Sequence, residues 1–303
     1  MQPICRSFIM QPICRSFPLI RRQYTTVMLT KKEKFNVKQG DETTLYIKGF
    51  LSKGESVEDY HLWHHSHNRI VKKHYWNETA KGWNWNCGDL EYPIPFITIT
   101  NFAYNLYKSS KFLKAHPAMI ATSLLIDAGY HIGRLIHQYR RVEKNTTILS
   151  YQLSQELVRL HKQYGKVRVI SHSLGCELLV NAIRDIPHEF RPHTVHLCAP
   201  AFDEETYGPI LNEISQRRTY IYYTPKDVVL SLGLRSIKGY NPIGSAGLKK
   251  HYPNVKTVDV SSYFADFWIV HNNYNEQFHR FVHEEHQTKI YLLQQPKKKS
   301  EEN

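Results

Sequence analysis

Apolar residues recur at three- and four-residue intervals along two stretches, Ala118 to Arg141 and Thr146 to Tyr164, with Leu149, Leu153, Leu157 and Leu160 marking one stripe. Side chains at that spacing share one face of a 3.6-residue turn, so both stretches are predicted helices. Compact β-branched or aromatic runs follow: Val167 to Ile170 (VRVI), Thr194 to Cys198 (TVHLC), Thr219 to Tyr223 (TYIYY) and Val255 to Val260 (VKTVDV). Each reads as a short buried strand. Helical patterns separate or close them at Leu174 to Ile186, Glu204 to Ser215 and Asn272 to Glu284. Upstream, Thr43 to Gly49 (TTLYIKG) reads as a strand ending at glycine, and His74 to Trp85 as a strand or hairpin. Tyr92 to Thr100, with Pro93 and Pro95, is either extended or early helical.

Strands alternating with helices at this spacing predict an α/β protein with a mostly parallel sheet covered by helices on both faces. One domain, residues 41–293, accommodates the pattern, with a helical insertion at about 101–165 that is either a lid over an apolar pocket or a layer packed on the sheet. The charged tail 294–303 is solvated. With 41% hydrophobic residues in 303, fibrous and wholly disordered chains are excluded. Ala118 to Ile136 is interrupted by Asp127, His131 and Arg134, so it is not a simple bilayer span.

Charge changes the picture at the front end. The formal net charge is +13, and residues 1–40 carry eight Lys or Arg against the single acid Glu33. The octet Met1 to Phe8 recurs as Met10 to Phe17, too short a repeat to build a core. An arginine-rich, acid-poor composition with Arg21-Arg22-Gln23-Tyr24 before Thr25 predicts a mitochondrial transit peptide, the alternative being a basic arm. Peripheral contact with an anionic membrane is compatible with the charge; nucleic-acid binding is not expected, because the basic excess concentrates in that arm and no stacking motif is present. Five cysteines with no C-x-x-C pair predict a reducing compartment and no structural zinc, with Cys176 and Cys198 as core residues.

The candidate chemistry lies in Ser171-His172-Ser173-Leu174-Gly175, directly after the VRVI run and before a helical pattern. A serine on a sharp strand-to-helix turn needs small residues two positions to either side; Gly175 meets that demand, and Ser171 stands where glycine is usual. Ser173 is the expected nucleophile, with the backbone N–H of Leu174 facing the developing oxyanion. The segment resembles the α/β-hydrolase superfamily, whose lipases and esterases commonly carry G-H-S-L-G, over about Thr43 to Phe281. Gly49-Phe50-Leu51, Trp83-x-Trp85 and Asn254 to Ser261 with a following His also resemble the lipase-like hydrolase domain of the transmembrane and coiled-coil domain family. No segment reads as that group's membrane-spanning helices, so their localisation does not carry over.

The resemblance implies an α/β-hydrolase fold and the order Ser, acid, His. Asp227, in Thr224-Pro225-Lys226-Asp227 after the TYIYY strand, matches the acid; its alternative role is a helix N-cap near Val228, and Asp203 and Asp266 are the other acids weighed. Among His251, His271, His279, His283 and His286, His271 follows the last strand by about ten residues and precedes the closing helix, so it is the expected base. Its alternative is a capping or surface histidine. Phe50 or Leu51 N–H is the second expected oxyanion donor, against a plain strand-terminating turn. His279 and His283 lack a third ligand and read as a solvated helix face, and His61, His64, His65 and His67 read as an exposed loop, so no metal or other cofactor is expected.

Two functions compete. The first is a serine esterase, lipase-like, cleaving an ester or thioester of an acyl lipid through an acyl-enzyme on Ser173. The second is a catalytically silent hydrolase-fold subunit of a mitochondrial protein complex.

Overall fold

The computed structural model describes residues 24–29, 42–50, 52, 58–73, 75–87, 118–265, 270–283 and 285, with side chains from 26 in the first of these segments and from 136 in the long helix. Among the described residues seven strands form one sheet: β1 (Tyr24–Met28), β2 (Glu42–Ile47), β3 (Ala80–Trp85), β4 (Lys166–His172), β5 (Thr194–Cys198), β6 (Arg218–Tyr223) and β7 (Val255–Asp259). Their spatial order is β1-β3-β2-β4-β5-β6-β7. All neighbours run parallel except β1, which pairs antiparallel with β3. With helices on both faces, this is the α/β-hydrolase fold. The expected basic arm is corrected at one point: Tyr24–Met28, a β-branched YTTVM run within residues 1–40, is an edge strand of the sheet. The remainder of that arm, the segment 88–117 and the tail 294–303 lie outside the described residues.

The pleat sorts the strands into two chemistries. Tyr46 pairs with Ile170, Ile170 with His196 and His196 with Tyr220, so these side chains share one face. That face is covered by α1 (His61–Lys72) and α5 (Val270–Phe281), whose Trp63 and Phe278 pack on Tyr46 and on His196 and Tyr222. Leu45, Val169, Val195, Leu197 and Ile221 alternate onto the opposite face, which is wholly aliphatic at these positions and fully buried. There it meets α2 (Ala118–Tyr164) and α3 (Leu174–Arg184).

The two predicted helices are one, α2. Val142 and Thr146 continue the stripe of Tyr139, Leu149, Leu153, Leu157, Leu160 and Tyr164 without a break, each buried. Of the polar run Glu143-Lys144-Asn145 only Lys144 points fully outward, while Glu143 and Asn145 flank the stripe half-buried. Each buried leucine contributes roughly 1.5–3 kcal/mol relative to exposure. From residue 139 onward the insertion is therefore a layer packed on the sheet.

The histidine tract is also a helix rather than an exposed loop. Trp63, Ser66, His67 and Ile70 are buried at three- and four-residue spacing, and His67 is fully enclosed. Its ring takes a hydrogen bond from the Tyr46 hydroxyl at 3.0 Å and donates to the Glu78 carbonyl at 3.3 Å. Burial pushes its pKa down to about 4, so it is neutral. Beside it, Arg168 of β4 donates to both oxygens of Glu285 at 2.8 and 2.9 Å and pairs with Glu42 at 2.8 Å. No described helix is long and apolar enough to cross a membrane.

Candidate active site

β4 ends at His172 and α3 begins at Leu174, leaving Ser173 to make the whole turn. Its backbone sits at φ 54°, ψ −126°, a conformation a non-glycine residue holds only when the surroundings enforce it. Here the Ser173 N–H donates to the Cys198 carbonyl at 2.9 Å and the Ser173 carbonyl accepts from the Cys176 N–H at 3.0 Å. A Cβ at Gly175 would be 3.0 Å from the Lys48 carbonyl carbon, closer still to its oxygen, and 3.2 Å from Ser171 Oγ. Glycine is therefore required at 175, while Ser171, fully buried, fits the position where glycine is usual.

The structure brings Ser173, His271 and Asp227 together. Ser173 Oγ–H donates to His271 Nε2 at 2.9 Å, and His271 Nδ1–H donates to Asp227 Oδ2 at 2.7 Å. His271 is the second residue of α5 and keeps slight exposure, whereas Asp227 has none. The loop after β6 is tied down on several sides. Thr224 N–H donates to the Gly244 carbonyl, Thr224 Oγ1 pairs with Ser261 Oγ at 2.8 Å, and Lys226 Nζ donates to the Ser261 and Phe264 carbonyls. The alternative capping role of Asp227 coexists with the pairing: Oδ1 accepts from the Leu230 N–H at 3.2 Å while Oδ2 holds the imidazole.

At the oxyanion side, Gly49 lies directly against the nucleophile, since a Cβ there would come within 2.8 Å of Ser173 Cβ and 3.0 Å of the His172 carbonyl oxygen. Phe50 follows it, and Trp85 Nε1 donates to the Lys48 carbonyl at 3.0 Å, fastening this end of β2 to β3. Leu174 N–H belongs to the first turn of α3, where helical N–H groups have no intrahelical acceptor. Leu51 lies outside the described residues.

The other acids and histidines fall elsewhere. Asp203 caps α4 (Glu204–Leu211), accepting from Thr206 N–H at 2.7 Å. His251 is exposed, and Asp266 and His286 lie outside the described residues. His279 and His283 lie on the solvent-facing side of the closing helix, as expected, and each takes a surface hydrogen bond there: Arg69 donates to His279 Nε2 at 3.0 Å and Lys73 to His283 Nε2 at 3.1 Å. Among the described residues no group of three His, Cys, Asp or Glu is arranged to hold a metal.

One neighbour carried no role in the sequence reading. The His172 ring lies 4.7 Å from that of His271, 5.8 Å from Tyr274 and 6.4 Å from Trp63. Burial first, and then the charge His271 would carry, push the His172 pKa well down, so it packs as a neutral ring. The signal was available in the alternation Arg168, Ile170, His172, which puts its side chain on the α5 face.

No family model matches the chain, and no curated protein does. Among solved structures it is similar to a predicted CIB-like hydrolase from Thermoplasma acidophilum, at 14% identity over 83% of this chain and 86% of that one with a TM-score of 0.33. It is likewise similar to MenH from S. aureus, at 10% identity over 89% and 99% with a TM-score of 0.39, and to the esterase Est2 from Thermogutta terrifontis, at 7% identity over 92% and 90% with a TM-score of 0.39.

Proposed function

We propose that the chain is a serine hydrolase that cleaves an ester or thioester, with an acyl lipid as substrate class, through an acyl-enzyme on Ser173. The observation that carries the reading is the unbroken hydrogen-bond chain from Ser173 through His271 to Asp227 at a backbone geometry that a merely structural serine does not need. His271 Nε2 takes the Ser173 proton as Oγ attacks the carbonyl carbon, and the tetrahedral oxyanion is met by the Leu174 and Phe50 N–H groups. Asp227 fixes the proton on Nδ1 and stabilises the imidazolium. The imidazolium then protonates the leaving alcohol or thiol, and water repeats the sequence to release the acid.

A fluorophosphonate probe tests this on the purified full chain. Labelling of the wild type that disappears in Ser173→Ala, together with hydrolysis of butyryl esters, is the expected result. A folded preparation that is neither labelled nor hydrolytic overturns the reading and favours the silent subunit of a mitochondrial complex. The acid-poor arm supports mitochondrial delivery, with peripheral contact to anionic membrane as a secondary role of its charge; residues 1–40 fused to a fluorescent reporter should go to mitochondria, and a diffuse reporter would refute it. The narrower resemblance to the transmembrane and coiled-coil domain family rests on its sequence segments alone.

A further inference from the structure

Tyr139 of α2 is 6% exposed, and its hydroxyl is buried with no hydrogen-bond partner. A buried unsatisfied hydroxyl is unfavourable unless something supplies its partner. The groups in electrostatic reach of it are Glu177, Glu143, Tyr240 and Tyr207, drawn from α3, α2, the segment after residue 238 and α4. Tyr207 donates to Glu177 Oε1 at 3.3 Å, and Lys238 is ion-paired with Glu143. Glu177, Tyr207, Lys238 and Tyr240 are half-buried, so the cluster reaches solvent.

Two of its members are linked to the nucleophile's surroundings through one intermediate each. Glu177 lies one turn into the helix that Ser173 caps. The Tyr139 ring packs edge to face on Phe50, 5.3 Å between centres, and Phe50 supplies the proposed oxyanion donor. We infer that Tyr139, with Glu177 and Tyr207, forms a substrate subsite that takes an uncharged hydroxyl-bearing portion of the ester, an inference that rests on the serine-hydrolase reading above. The hydroxyls of Tyr139 and Tyr207 and the Glu177 carboxyl can each accept from a substrate hydroxyl. Three carboxyl groups, Glu177, Glu143 and Asp203, against one cation, Lys238, itself committed to Glu143, disfavour an anionic substituent. Burial and then the Glu143 charge push Glu177 up to about 7, so this exclusion strengthens as pH rises above neutrality.

The test compares glyceryl butyrate with propyl butyrate, which share a carbon skeleton, and methyl 3-hydroxybutyrate with methyl butyrate, so that the hydroxyl is offered on either half of the ester. A kcat/KM preference of roughly five- to tenfold for the hydroxylated member of at least one pair is expected, the value of one hydrogen bond. Tyr139→Phe should collapse that preference to within about twofold while its thermal midpoint does not fall, since it removes an unsatisfied group. The butyryl ester of glycerol phosphate should be the poorest substrate, and Glu177→Gln should narrow that gap at pH 8. No preference in either pair, or a preference that survives Tyr139→Phe, overturns the subsite. Fluorophosphonate labelling of Ser173 in the same preparations separates the two failures: labelled enzyme without the preference refutes the subsite alone, whereas unlabelled enzyme refutes the hydrolase reading and the subsite with it.

Discussion

Gly49→Ala probes the contact on which the proposed oxyanion site depends. The added Cβ would stand 2.8 Å from Ser173 Cβ, 3.0 Å from the His172 carbonyl oxygen and 3.1 Å from His172 Nδ1. Ordinary contact begins near 3.4 Å, so the end of β2 and the elbow must part by about 0.6 Å, and neither side is the free end of a flexible chain. Overpacking of this kind typically destabilises by about 1–3 kcal/mol. The displacement falls on the segment that carries Phe50 N–H, and a shift approaching 1 Å at a reacting geometry lowers rate by about 100-fold. Gly49→Ala should therefore lose roughly 10- to 100-fold in kcat/KM on a butyryl ester, with a urea unfolding free energy lowered by about 1–3 kcal/mol. Gly233→Ala is the control, because a Cβ there meets nothing within 4 Å. Wild-type rate and wild-type stability in Gly49→Ala would show that β2 does not abut the nucleophile, and the assignment of Phe50 N–H would fall with it.

Asp227→Asn retains an oxygen to accept from the Leu230 N–H but offers an amide donor to His271 Nδ1, which drives the ring proton to Nε2 and removes the acceptor that Ser173 needs. A loss of about 10³- to 10⁴-fold in kcat is expected in single-substrate kinetics, and retention of activity within tenfold would remove Asp227 from the proposed mechanism. His67 supplies a pH test. Its folded pKa of about 4 lies below the ordinary value of 6.5, so the unfolded chain binds the extra proton and stability is lost as pH falls from about 6.5 towards 4. The full loss is about 3 kcal/mol. His67→Gln preserves an acceptor for Tyr46 and a donor for Glu78; urea unfolding at pH 7 and pH 4.5 should show a smaller acid loss in the variant, and parallel losses would refute the buried neutral imidazole.

What the sequence made legible follows from how local each signal is. The runs VRVI, TVHLC and TYIYY are strands because their β-branched and aromatic residues declare themselves within five positions; placed on those strands, the Ser, acid, His order implied by the superfamily resemblance points to Ser173, Asp227 and His271, the three side chains that converge. The histidine tract misled because polar residues at 61, 64 and 65 hid the buried positions Trp63, His67 and Ile70. The polar run at 143–145 hid the continuity of α2 in the same way. Tyr139 and Glu177 were illegible for another reason: their environment is made by three helices and a turn meeting, and no spacing within one segment encodes that.

The division of the sheet into two faces explains how a marginally stable domain can hold a three-residue site to hydrogen-bond tolerance. The aliphatic face against α2 and α3 is non-directional and supplies burial. The other face is directional. Arg168 grips Glu285, just beyond α5, through two hydrogen bonds, and grips Glu42 of β2 through its other nitrogen. Trp76 lies 4.3 Å from the guanidinium and 5.4 Å from the His196 ring, which stacks on Tyr222. Phe278 and Phe281 of α5 close the layer. One end of α5 is thus locked to the strands by a buried ion pair, whose disruption typically destabilises by about 3–5 kcal/mol, while its first turn presents His271 to Ser173. Because β4 carries both Arg168 and the serine elbow, the base and the nucleophile are referenced to the same strand, and the separation between them is set by the rise of four residues, His172 back to Arg168, and the length of one helix.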